Sequence, residues 1–132
     1  MADLDRVVDQ LRKFPHIRYT RSGSTITVAA ANADGFPVSI SVDAALYRVT
    51  LGGWHDEFVD EQQALDHFAM GLFDNVRLKS LARGDGEYRW TIERKQGDRW
   101  VRVEECGLLF FPFWKRKRVM YRQNRFIRGA KG

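Results

Sequence analysis

Val38-Ser39-Ile40-Ser41-Val42, then Asp43-Ala44-Ala45-Leu46, then Tyr47-Arg48-Val49-Thr50-Leu51: apolar and polar side chains alternate, pause and alternate again. Successive side chains of a strand point to opposite faces, so each half of this stretch is a strand with one apolar face. Closing Asp43 to Leu46 as a four-residue loop sets Tyr47 opposite Val42, Val49 opposite Ile40 and Leu51 opposite Val38. Ser39, Ser41, Arg48 and Thr50 gather on the other face. One register sorts every side chain, which is how a half-buried antiparallel sheet specifies itself.

The pattern extends both ways. Upstream, a three-residue loop Ala33-Asp34-Gly35, with Gly35 in the left-handed position, opposes Ile26 to Val42, Val28 to Ile40 and Ala30 to Val38. Downstream, Glu87 to Lys95 and Asp98 to Glu104 join at Gln96-Gly97, which directs Trp90, Ile92, Val101 and Val103 to the core. The same register sets Arg89 across from Glu104 and Lys95 across from Asp98, favourable cross-strand pairs. The strand before it, Val76 to Ala82, matches Leu78 to Ile92 if a bulge lies near Gly84-Asp85-Gly86. Leu108 to Trp114 is apolar on both faces, which predicts a central strand or one entering an interface. Lys115-Arg116-Lys117 turns the chain, and 118 to 127 return as the last strand.

Two helices frame these strands. Leu4, Val7, Val8 and Leu11 recur at helical spacing until Pro15 ends the pattern. Asp60 begins the second helix, with Gln63 three residues on in a capping-box arrangement and an apolar stripe of Ala64, Leu65, Phe68, Ala69, Leu72 and Phe73. Asp56, Glu57, Asp60 and Glu61 read as acids favoured at that helix start. The expected fold class is α+β: a mainly antiparallel sheet of seven or eight strands with both helices on one face, in the order α-β4-α-β4. Asp3-x5-Asp9 recurs as Asp60-x5-Asp66, and Ile17-Arg18 as Val76-Arg77, so internal duplication stands beside convergence on one pattern.

The chain of 132 residues fits one domain over 1–128 with a loose tail at 129–132. With 44% hydrophobic, 30% charged and 13% aromatic residues it has the composition of a globular protein and not of a disordered one. Cys106 is the only cysteine, which excludes an intramolecular disulfide and favours a reducing compartment. The amino terminus lacks a basic region followed by an apolar run, and the longest apolar run has seven residues against about 20 for a membrane-spanning helix. A cytoplasmic protein without membrane association is the expectation.

The net charge of +5 is unevenly placed, since residues 1–76 carry six Lys/Arg and eleven Asp/Glu while 77–132 carry sixteen and six. Lys115, Arg116, Lys117, Arg118, Arg122, Arg125 and Arg128 form the densest cluster, with no acid among them. In an extended strand Arg116, Arg118, Arg122, Asn124 and Arg128 share a face that could track phosphates, with Trp114 and Tyr121 nearby. The competing reading is an edge strand kept from aggregating by its cations. Phe110, Phe111, Phe113 and Trp114, running directly into these cations, also have the order of an interfacial anchor. They are read first as candidates for a protein interface.

No cofactor or metal is expected, because His16, His55 and His67 share no ligand spacing and no phosphate loop or nucleophile elbow is present. Arg83-Gly84-Asp85 has the composition of a turn. An acid–base pair such as Glu104 with His16 or His67 is recognisable only in three dimensions. The sequence favours a non-enzymatic accessory module with a protein partner or a second copy, and polyanion binding through the basic carboxy-terminal strand is the alternative.

Overall fold

The computed structural model describes residues 4–110 and 112–128. Helix α1 (Asp5–Leu11) leads into β1 (Thr20–Ser22), β2 (Thr25–Val28), β3 (Val38–Asp43), β4 (Leu46–Leu51) and β5 (Trp54–Phe58). Helix α2 (Glu61–Met70) follows, then β6 (Val76–Arg83), β7 (Gly86–Gln96), β8 (Arg99–Gly107) and β9 (Lys117–Arg122). The α+β class and antiparallel pairing hold. The single sheet of seven or eight strands does not: there are two sheets, β1-β2-β3-β4-β5 and β8-β7-β6-β9.

The extra strand explains the changed order. Gly52, at φ +59°, allows a two-residue turn that pairs Leu51 with Trp54, so the chain runs back as β5 before α2 begins. Asp56 and Glu57 are thus strand residues, while Asp60 and Glu61 serve the helix as expected, Asp60 accepting from Gln63 N–H at 3.2 Å and Glu61 lying in the first turn. Gly52 and Gly53 are also where the sheets meet. A Cβ on Gly53 would lie 2.1 Å from Trp90 Nε1, and one on Gly52 would lie 2.6 Å from Leu78 Cδ2.

The β3–β4 register is as the alternation requires, with Val42, Ile40 and Val38 against Tyr47, Val49 and Leu51. Its loop is tighter than expected, since Asp43 and Leu46 still pair and Ala44 takes a positive φ. Between β2 and β3 the register slides by two, setting Ile26 against Ile40 and Val28 against Val38. The apolar face is preserved by an even shift. Gly35 is not left-handed; a Cβ there would stand 2.5 Å from Asn124 Oδ1.

In the second sheet Leu78 pairs with Ile92 as expected, and the bulge lies at Leu81/Ala82. The β7–β8 register differs. The turn is Gly97-Asp98, with Gly97 at φ +60° and Gln96 pairing Arg99, and a bulge at Ile92/Glu93 leaves Ile92 opposite Glu104. Val101 and Val103, expected in the core, are 39% and 37% exposed. The expected charge pairs Arg89–Glu104 and Lys95–Asp98 are not made; Arg89 lies 3.7 Å from Glu105 instead.

The core joins Ile26, Val28, Val38, Ile40, Val49 and Leu51 of the first sheet to Val76, Leu78 and Ile92 of the second, capped by Ala64, Leu65 and Phe68 of α2. Helix α1 is tied to the start of α2 by Arg6, 2.6 Å from Glu61 and 2.8 Å from Gln62. After Arg122 the chain leaves the sheet. Gln123 N–H donates to Asp34 O at 2.7 Å, and Ile127 exchanges backbone bonds of 2.9 Å with Leu72 and Asp74. Among the described residues no helix is long and apolar enough to cross a membrane. The proposed tail and Asp3, one member of the repeat pattern, lie outside the described residues.

Candidate interaction site

Strands β8 and β9 occupy opposite edges of their sheet, so the chain must cross past β7 and β6 between Gly107 and Lys117. At about 4.8 Å between neighbouring strands, that crossing spans roughly 14 Å. The described residues of 108–116 lie in no strand and belong to this crossing, so the expected central strand is not seen in them. Leu108, Leu109, Phe110, Phe113 and Trp114 are between 51% and 85% exposed. Phe111 lies outside the described residues.

The loop is exposed but anchored. Leu108 N–H donates to Tyr88 O at 2.7 Å, Gly84 N–H donates to Arg116 O at 3.1 Å, and Arg83 Nη1 reaches Lys115 O at 3.3 Å. Lys115 N–H closes a turn onto Pro112 O at 3.0 Å, and inside this turn Phe113 and Trp114 pack edge to face with centroids 5.4 Å apart. Anchoring at both roots and an internal turn limit the ordering that a partner would have to impose.

The basic cluster is divided by the fold. Lys115 and Arg116 sit at the root of the loop, and Lys117, Arg118 and Arg122 on β9. Arg118 Nη2 donates to Gly84 O at 2.6 Å, Arg122 pairs with Glu87 at 3.0 Å, and Arg125 reaches Gln123 Oε1 at 3.4 Å. Arg128 is exposed beyond the strand. The expected stripe through Asn124 is broken because the strand ends at Arg122 and Asn124 is buried at 3% exposure. Its Oδ1 accepts from Phe36 N–H at 3.1 Å, while Nδ2 donates to Phe36 O at 2.8 Å and Gly71 O at 2.9 Å.

A second feature was hidden from the sequence. A cleft of about 920 Å³ runs between α2 and the β7–β8 hairpin, with Met70, Phe73, Arg94, Val103 and Glu104 among its walls. At its edge His67 meets Glu104, Nε2 lying 2.9 Å from Oε2 but out of line for a good hydrogen bond. Nδ1 faces Gln63 O at 2.7 Å, and the ring stacks on Trp54 with centroids 5.8 Å apart. Of the two pairings considered, the fold makes His67–Glu104; His16 instead contacts Phe126 O at 2.6 Å. The His67 ring thereby joins α2 to β5 and β8, with both nitrogens already facing acceptors. Cys106 lies near His55 and Asp56 of β5; burial pushes its thiol up, Asp56 and Glu105 add to that, and the His55 backbone N–H opposes it. Among the described residues no group of three or more His, Cys, Asp or Glu is placed to hold a metal ion.

Against protein-family models, curated proteins and solved structures, the chain matches none. A functional reading therefore rests on the chain's own surface.

Proposed function

We propose that this chain is an accessory module that docks on another protein through the β8–β9 loop. The observation that carries the reading is the set of five large apolar side chains displayed on one anchored connection, Leu108, Leu109, Phe110, Phe113 and Trp114. Burying such a side chain is worth about 1.5–3 kcal/mol, so the four beside the half-buried Leu108 supply roughly 6–12 kcal/mol before the losses of association. A loop alone supports only modest affinity on that scale. The exposed Val119 and Tyr121 on β9 extend the apolar area.

Charge chooses between a second copy and a different partner. A symmetric dimer about the loop would bring Lys115, Arg116, Lys117 and Arg118 against their own duplicates with no intervening acid in the segment. Like charges so placed oppose association. An apolar groove rimmed by Asp and Glu satisfies both the aromatic and the cationic parts of the segment, and it is the partner chemistry we assign.

Benzoylphenylalanine at position 110 tests this in native lysate, with the same probe at Arg12 on α1 as control. The expected result is a discrete adduct from position 110, absent from the control, that disappears in Trp114→Asp and weakens in Arg116→Glu. Adducts identical to the control, cross-linking only to a second copy, or co-sedimentation with anionic vesicles in place of a protein adduct each overturn the proposal.

A further inference from the structure

The face of the second sheet turned away from the core has a composition that the loop does not explain. Register places Arg77, Lys79, Leu81 and Arg83 of β6 on it, with Arg89, Thr91 and Glu93 of β7. It also places Arg102 and Glu105 of β8 there, and Lys117, Val119 and Tyr121 of β9. With Lys95 of β7, which pairs with Trp100, seven cations thus share a face with two carboxylates. The opposite face carries Val76, Leu78 and Ile92 into the core.

The aromatics on this face are arranged around one guanidinium. Arg77 Cζ lies 4.3 Å from the Trp100 ring centroid and 4.1 Å from that of Tyr121, and Arg77 Nε is fixed by Glu93 at 2.7 Å. Two rings from different strands are therefore held by a cation that is itself pinned, a stacking arrangement on a basic sheet. Glu105 lies within 3.7 Å of Arg89 and 3.9 Å of Arg102, and Lys79, Arg83 and Lys117 have no carboxylate in contact among the described residues. The excess positive charge is spread along β6, which is about 26 Å long at 3.3 Å per residue.

We infer that this face binds single-stranded nucleic acid, with bases stacking on Trp100 and Tyr121 and phosphates held by Lys79, Arg83, Arg102 and Lys117. Cations without aromatics would suit any polyanion. Rings on an open sheet select ligands with flat π faces, and single strands expose them. Tyr121 and Lys117 border the docking loop and Arg83 holds its root, so the two surfaces adjoin; Trp100, Lys79 and Arg102 belong to this face alone.

Fluorescence anisotropy with labelled oligouridylate and oligothymidylate of about 12 nucleotides tests it at low and moderate salt. Binding is expected to weaken with salt at a log–log slope near −2 to −3 for three or four phosphate contacts. Trp100→Ala, which changes no charge, should weaken binding by about 5- to 100-fold with far-ultraviolet circular dichroism unchanged. Tyr121→Ala repeats the stacking test should Trp100→Ala fail to fold. Lys79→Glu should weaken binding tenfold or more, and Arg12→Glu, the same charge change on α1, should leave it within twofold. A preference between the two oligonucleotides assigns RNA or DNA. No binding, equal binding of heparin with no effect of either ring substitution, or tighter binding of polyglutamate overturns the inference.

Discussion

Replacing Asn124 by Ala should destabilise the fold far more than its place in a basic, polar segment suggests. The side chain accepts from Phe36 N–H and donates to Phe36 O and Gly71 O, joining the carboxy-terminal segment to the β2–β3 connection and the end of α2. A buried bond contributes about 1 kcal/mol, and a buried group left without a partner costs about 1–3 kcal/mol. At the lower part of that range, about 1–1.7 kcal/mol each, three stranded groups give about 3–5 kcal/mol, or about 2 kcal/mol if water enters and satisfies one or two of them. For a domain of this size that corresponds to a fall in Tm of roughly 8–20 °C. Thermal and urea unfolding followed by circular dichroism measure it. Gly35 sharpens the test, because its missing Cβ leaves the space that Asn124 Oδ1 occupies. Gly35→Ala should be strongly destabilising alone and much less so in the Asn124→Ala background, since residues in contact are not additive. A loss below about 1 kcal/mol for Asn124→Ala, or strict additivity of the pair, refutes the reasoning.

Three further outcomes follow from named contacts. Gly53→Ala drives a methyl into the Trp90 indole and should cost about 2–3 kcal/mol in urea unfolding; a neutral effect would contradict the meeting of the two sheets there. The Cys106 thiol is held up by burial, so at pH 8 iodoacetamide should modify native protein more slowly than unfolded protein, and the native rate should rise through a midpoint above that of an ordinary thiol. Because the folded value is raised, the unfolded thiol ionises first, so this group's contribution to stability is intact below the unfolded value and declines as pH rises through the folded one. A native thiol as reactive as the unfolded one at pH 8 would be the contrary result. Val101→Thr should shift stability by less than about 1 kcal/mol, whereas Ile92→Ala should cost about 2–5 kcal/mol. Equal effects would restore the register in which both are core.

The sequence was informative where alternation was long and the turn short. Val38 to Leu51 specifies its pairing because a shift of one residue would turn Ser39, Ser41 and Arg48 into the core. An even shift leaves faces unchanged, so Ile26 could not distinguish Val42 from Ile40 as its neighbour. Strand β5 escaped notice because Trp54 and Phe58 are buried at its ends while His55, Asp56 and Glu57 between them are exposed. In β7–β8 the apparent charge pairs favoured a register that the bulge at Ile92/Glu93 defeats.

Site residues were legible by type and not by arrangement. Hydrophobicity marked Leu108 to Trp114 as wanting burial, but only sheet order shows that β9 must cross to the far edge and leaves that segment on the surface. Cationic density marked 115–128, yet Arg118 and Arg122 are engaged within the chain. The basic aromatic face draws Arg77, Trp100 and Tyr121 from three strands, and no local spacing in the sequence brings them together.

The docking loop is tested most directly by titrating the protein captured at position 110 against wild type and the Phe110→Asp/Trp114→Asp double variant. Isothermal calorimetry should show binding with a negative heat-capacity change for wild type and at least a hundredfold loss for the variant, with unchanged thermal unfolding. Equal affinities for the two would contradict the account.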